Sequence, residues 1–268
     1  MNIIDTHCHI HDPEFARKYK KPVEQIVDEA KAAGVFPFVS VGTDGESSRI
    51  AVQFAKQHGT YASLALHPHE VSEKPADKID EEFALLASIA AENHKEVVAI
   101  GECGLDYFYH KEKEVQAAQQ ALFRRHLDLA RKHDLPLIFH IRDAFEDFFA
   151  IIDEYNKTGP AIRGVVHSFT AFTEQLEECV KRGLYVGVNG IMTFTKIEAQ
   201  LAAAQAIPRE YLVLETDAPF LTPAPFRGNM CELYHIVETA KFLAALRKEP
   251  LEELAAYTTD NAKKLFNI

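Results

Sequence analysis

No two cysteines in the 268-residue chain have C-x-x-C spacing; the four thiols stand apart at Cys8, Cys103, Cys179 and Cys231. Scattered thiols in a chain of this size read as reduced, which excludes a disulfide scaffold and points to the cytoplasm. No apolar run reaches the ~18 residues of a membrane span, so no membrane location is expected. No basic stretch followed by an apolar one opens the sequence, because Asp5 comes too early, and no export signal is expected. Basic charge is also scarce: 29 Lys and Arg against 40 Asp and Glu leave a net charge of -11. The densest basic clusters, Lys18-Tyr19-Lys20-Lys21 and Lys263-Lys264, read as solvated surface. A broad electrostatic grip on duplex DNA is thereby excluded, and any anion must be held by a local positive centre. No Ser/Gly-rich linker, compositional shift or sequence repeat divides the chain, and no segment marks an obligate protein partner.

What is present is alternation. Short runs rich in Val, Ile, Leu and Phe occupy 2–5, 35–41, 61–66, 97–100, 137–140, 164–167, 184–188 and 211–214. Such runs suit parallel strands buried on both faces. Amphipathic stretches lie between them, at 22–33, 114–133, 174–182, 201–206, 233–247 and 251–266. Gly34 and Gly183 stand where helix C-caps are expected, and Pro136 stops the longest helix. Phe145, Phe148 and Phe149 recur at helical spacing and read as core. Eight strand-then-helix units in one domain over 1–268 predict an α/β fold, a (β/α)8 TIM-type barrel, which typically needs about 250 residues. An open doubly wound sheet is the alternative, since alternation alone does not show closure.

Chemistry in such a barrel sits at the C-terminal ends of the strands. There the sequence places His7-Cys8-His9, Gly101-Glu102, His140, His167-Ser168 and Glu215-Thr216-Asp217. Alternate residues of a strand share a side, so His7 and His9 aim at one point. By the same parity Val98, Ile100 and Glu102 are expected on one face, as are Ile138 with His140, and Val213 with Glu215 and Asp217. Crowded carboxylates without a counterion would raise each other's pKa, and divalent ions remove that difficulty. Cys8 and Cys103 fall on the opposite parity and read as small buried hydrophobes.

The stretches "DTHCHI", "GECGLDYF", "HIRDA", "HSFT" and "LETDAPFLTP" resemble the signatures of the TatD-type metal-dependent deoxyribonucleases, within the amidohydrolase-like superfamily. The likeness spans nearly the whole chain. It implies a (β/α)8-type barrel that hydrolyses phosphodiesters with a two-metal-activated water, acting as an exonuclease or on single strands. It also implies the ligands: His7, His9 and Asp217 for one divalent ion, His140 and His167 for the other, and Glu102 between them. Glu102 and Asp217 then carry the chemistry, with Asp217 accepting a proton from the attacking water and Glu215 supporting from behind. Departures are Ala171 where the family has Gly, His126 where it has Gln, and Met230-Cys231-Glu232-Leu233 in place of an "RNEP"-like segment. They bear on substrate preference.

Zinc, manganese, cobalt, nickel, iron and magnesium all stay open as the metal; imidazole favours the first five and the family the last. His67, before Pro68, is expected to be catalytic, clamping a phosphate oxygen or protonating the leaving oxygen; a plain turn histidine is the alternative. Arg142 is expected to bind substrate phosphate, with an ion pair to Asp143 or Glu146 as the alternative. Tyr107, in Tyr107-Phe108-Tyr109, is expected to stack on a base of a nucleic-acid substrate, whether a DNA end or a single strand. Asp106 is read as fixing that loop. His11 and His69 are read as peripheral, and His58, His94, His110, His126, His133 and His235 as ordinary side chains of helices or loops. Hydrolysis of another ester, such as an aminoacyl-tRNA linkage, and a non-catalytic metal-binding role are the rival functions.

Overall fold

The structure, a computed structural model, describes residues 2–268. Eight parallel strands follow one another around a nearly closed barrel in chain order. They are β1 (Ile3–Cys8), β2 (Val35–Val41), β3 (Tyr61–Leu64), β4 (Val97–Asp106), β5 (Leu137–Arg142), β6 (Gly164–Val166), β7 (Tyr185–Val188) and β8 (Leu212–Leu214). β1 and β8 meet at the mouth, where the Asp217 amide donates to the His7 carbonyl (2.9 Å) and the His9 amide to that of Ala218 (2.6 Å). Helices run between the strands, the longest being Lys113–His133. Among the described residues, no helix is long and apolar enough to cross a membrane.

The core has two layers. Between sheet and helices pack Ile3, Phe38, Leu64, Ile100, Leu105 and Phe139, together with Cys8 and Cys103 as expected. Inside the barrel pack Ile4, Val39, Val41, Val98, Ile138, Val165, Tyr185 and Val213, met by Leu265 and Phe266 of the last helix. Apolar side chains and that helix thus fill the N-terminal end and leave the other end to polar groups.

β4 is longer and less regular than the sequence suggests. Gly101 pairs with Ile138 and Cys103 with Phe139, so Glu102 is an extra residue with no partner across the ladder. A second irregularity lies between the pairs Ala62–Val97 and Ser63–Ala99. The expected shared face of Val98, Ile100 and Glu102 is therefore corrected: Val98 packs inside the barrel and Ile100 outside. A bulge, which re-aims a side chain, replaces simple parity. Gly101 makes the bulge possible: its φ is +153°, and a Cβ there would stand 2.5 Å from the Ile138 Cβ.

Candidate metal centre

The mouth gathers the groups that the strand ends present. On one side lie His7 and His9 of the β1 end and Asp217 beyond β8. The Nε2 atoms of His7 and His9 are 3.0 Å apart. Asp217 Oδ1 lies 3.6 Å from His7 Nε2 and 3.4 Å from His9 Nε2, and Glu102 Oε2 lies 3.2 and 3.7 Å from the same atoms. Ligands about 2.0–2.2 Å from one tetrahedral ion stand roughly 3.3 Å from each other, so this spacing fits a shared cation. Nδ1 of His9 faces the Val41 carbonyl at 2.8 Å, which puts the ring proton on Nδ1 and turns the Nε2 lone pair inward.

The other oxygen of Glu102 faces the second group. Its Oε1 is 2.6 Å from His140 Nδ1 and 3.7 Å from His167 Nε2. The ring of His167 stacks on that of His7 with centroids 3.6 Å apart. Glu102 is almost wholly buried and stands between the two sets with one oxygen toward each. Burial favours its neutral acid, but the surrounding imidazoles outweigh that and hold it well below the usual carboxylate range. Burial likewise opposes charge on His167 and His140, yet the facing carboxylates push them up to about 10 and about 9. Without a cation, protons occupy this cradle; a divalent ion supplies the same positive charge. The donor set and its spacing therefore fit metal.

Behind these groups stands a layer of acceptors. His140 Nε2 lies 3.1 Å from Asp106 Oδ2, and His69 Nε2 lies 2.9 Å from the same oxygen. Asp106 Oδ1 accepts the backbone N–H groups of Phe108 (3.0 Å) and Tyr109 (3.4 Å), so it also fixes the loop, as the sequence suggests. His69 is corrected from peripheral to a member of this layer. His167 Nδ1 lies 2.9 Å from Glu215 Oε1, which also accepts the Ser168 amide at 2.6 Å. Only a glycine fits opposite, because a Cβ at Gly187 would lie 2.3 Å from Glu215 Oε2. Asp5 accepts the amides of His7 (3.1 Å) and Thr216 (2.9 Å) and the Thr216 hydroxyl (2.6 Å), joining the two strand ends that carry His7 and Asp217. Asp5 opens the quoted "DTHCHI" stretch, and Asp106 sits in "GECGLDYF"; carboxylates inside such motifs were the available signal.

His67 reaches the site. Its Nδ1 accepts the His69 amide (3.2 Å), so Nε2 carries the proton and points inward, 3.3 Å from His140 Nδ1 and 3.7 Å from Glu102 Oε1. Burial is the main reason its pKa falls to about 4. Arg142 is at the rim with its guanidinium 3.8 Å from the Phe108 ring centroid, while Asp143 faces Lys111 instead. The base-stacking role expected of Tyr107 is corrected. Tyr107 is buried, and its hydroxyl donates to Asp147 at 2.8 Å; the exposed rings of that run are Phe108 and Tyr109. A tyrosine with a hydroxyl partner in reach turns inward, whereas its neighbours have none to anchor them.

A histidine-and-carboxylate cradle at the mouth of such a barrel defines a metal-dependent hydrolase. A family model described as "TatD related DNase" matches residues 4–267. The chain belongs to that family. It is 36% identical over 267 residues to YabD of Bacillus subtilis, named as an uncharacterized metal-dependent hydrolase, with 99% of both chains covered. It is 34% identical over 265 residues, 95% of each chain, to a Yersinia pseudotuberculosis protein named as the 3'-5' ssDNA/RNA exonuclease TatD. Among solved structures, the TatD homologue YjjV of Escherichia coli K12 superposes with a TM-score of 0.88 at 29% identity, covering 99% of this chain and 98% of that one.

Proposed function

We propose that the chain hydrolyses phosphodiester bonds of single-stranded nucleic acid from a strand end. The observation that carries this reading is the division of Glu102, one oxygen toward His7 and His9 and the other toward His140. One divalent ion is assigned to His7, His9 and Asp217 and a second to His140 and His167, with Glu102 shared. Imidazole-rich sets suit zinc, manganese, cobalt, nickel or iron; magnesium prefers oxygen ligands and suits four imidazoles less well, and the family resemblance keeps it in the test. When bound, such ions polarise a phosphoryl oxygen and lower the pKa of water. The protein's own groups do the rest. Asp217, less deeply buried than Glu102, is placed to take a proton from water. The Nε2–H of His67 is placed to donate a hydrogen bond to a phosphate oxygen; a ring this reluctant to charge suits that better than protonating a leaving group. Arg142 at the rim offers charge to a neighbouring phosphate. The name of the Yersinia relative, a 3'-5' exonuclease of single-stranded DNA and RNA, supports attack from a strand end and the strand preference. The four buried, unpaired thiols support a reducing cytoplasmic setting.

A labelled single-stranded oligonucleotide incubated with a panel of divalent ions tests the reading. Glu102→Gln is expected to lower cleavage by at least about a hundredfold while the chain stays folded. Undiminished cleavage by that variant overturns the shared role of Glu102. A wild type that spares nucleic acid but hydrolyses an aminoacyl ester overturns the choice of substrate.

A further inference from the structure

The mouth carries a second aromatic and basic group that the reaction, as described, does not use. Phe220 follows Asp217 by three residues, is 44% exposed, and its ring centroid is 6.3 Å from that of His9. Phe15 packs edge-on against it at 5.0 Å. Lys18 Nζ sits 5.0 Å from the Phe15 ring centroid. The carboxylate nearest Lys18, on Glu14, is 3.7 Å away and well exposed, so it neutralises Lys18 little.

This group opens outward. Lys18 and Lys20 line a cavity of about 410 Å³ with Phe226, Asn229 and Tyr234. Its size falls within the roughly 300–1,000 Å³ typical of small-ligand pockets. The cavity and the aromatic pair are tied together: the Tyr19 hydroxyl donates to the Cys231 carbonyl at 2.5 Å, and the Cys231 amide to that of Pro219 at 3.0 Å. Lys21 is spent on Glu29 and Glu232 and is not available to a ligand.

The placement is two-sided. Phe15, Lys18 and Phe220 follow β1 and β8, which are neighbours, while Arg142 ends β5 and Phe108 and Tyr109 lie in the loop after β4, across the barrel. Each side offers an exposed aromatic ring beside a cation, Phe220 backed by half-buried Phe15 on one and Phe108 and Tyr109 on the other, and the proposed metal cradle lies between. Successive bases stack on aromatic faces while cations track the backbone in proteins that hold single strands. We propose that Phe15, Phe220 and Lys18, with the adjoining Lys20-lined cavity, form a nucleotide subsite on the opposite side of the scissile phosphate from Arg142, Phe108 and Tyr109. The subsite rests on the nuclease reading and adds to it that the strand is held on both sides of the bond cut. The "KYKK" cluster, expected to be plain solvated surface, becomes part of the substrate path.

The test uses the full metal-loaded chain and a ladder of oligodeoxyadenylates from dinucleotide to dodecamer. KM is expected to fall as the strand lengthens. Phe220→Ala should raise KM on the dodecamer roughly 5- to 100-fold, and Phe220→Tyr should restore it. Lys18→Ala should reduce the slope of log KM against log salt by about 0.7. Circular dichroism melting of each variant reports that it is folded. Cleavage by the wild type, with a KM indifferent to strand length and to all three substitutions, overturns the subsite and leaves the nuclease reading standing. Absence of cleavage by the wild type with every cation overturns the nuclease reading and the subsite with it.

Discussion

Asp106 and His126 are single side chains whose partners define what they do. Asp106 turns one oxygen to His140 and His69 and the other to the backbone of its own loop. An amide in its place keeps one acceptor oxygen for the loop N–H groups and turns an NH2 donor toward His140 and His69. Asp106→Asn should weaken metal binding about 10- to 100-fold, read by equilibrium dialysis against a chelator, with little change in melting behaviour. His126 stands where the resemblance leads one to expect Gln. Its Nε2 accepts the Leu66 amide at 3.0 Å and its Nδ1 faces the Leu122 carbonyl at 2.9 Å, so a neutral ring braces the residue before His67. An amide side chain can make the same two bonds. Burial holds the His126 pKa at about 4, below its ordinary 6.5. Between those values the unfolded chain binds a proton that the folded chain does not. The neutral ring thus supports the fold fully above pH 6.5, and that support is lost as pH falls toward 4, by up to roughly 3 kcal/mol. His126→Gln should flatten the fall in stability across this window, as measured by urea unfolding at a series of pH values.

At the scale of elements, glycines mark the places where backbone rather than side chain decides. Gly183 ends the Thr173–Lys181 helix with φ +71°, and the Leu184 amide then donates to the Cys179 carbonyl at 3.0 Å. Gly183→Ala should cost about 1 kcal/mol in chemical denaturation and leave catalysis alone. Gly101→Ala should cost more and abolish metal binding, because its Cβ collides with Ile138 and dislodges Glu102. The eight strands were legible because buried parallel strands are continuous apolar runs bounded by polar residues. The helices Gly45–His58 and Ala76–Ala91 were passed over. The first carried its signals openly, with Asp44 accepting the Ser47 amide at 2.7 Å and Gly59 closing the helix at φ +69°. The gathering of the six proposed ligands at one mouth was legible, since each lies in a motif at a strand end. What was not legible is which residues turn inward. The bulge at Glu102 breaks the period-two pattern, and the burial of Tyr107 depends on Asp147, forty residues away. Asp5 and His69 do not read as supports in the sequence, and Asp106 reads only as a brace of its own loop, because the further groups they hold come from other parts of the chain.

The whole molecule is acidic, yet its mouth is arranged to receive positive charge. Two imidazoles with raised pKa values, His140 at about 9 and His167 at about 10, keep protons in the cradle proposed to hold cations. Their protonated forms stabilise the metal-free chain fully below their unfolded pKa near 6.5, and that contribution disappears as pH rises through 9 to 10. Cations compete with those protons, so binding should release protons and tighten with rising pH. The midpoint of thermal unfolding should therefore rise more on adding manganese or zinc at about pH 8 than at about pH 6, and a chelator should reverse the gain.

The seam between β1 and β8 has a further consequence for biosynthesis. The proposed ligands on its two sides are separated by almost the full length of the barrel sequence, and Asp5 and the Asp217 amide bring them together only when the last strand docks. A ribosome displays His7 and His9 early and withholds Asp217 until nearly all the barrel has emerged. A half-made or prematurely terminated chain owns the imidazoles but lacks the carboxylate that completes the cage. With Asp217 as the proposed closing ligand, the cage is complete only once the last strand docks, so a chain truncated before Asp217 should bind manganese or zinc more weakly than the full chain in equilibrium dialysis.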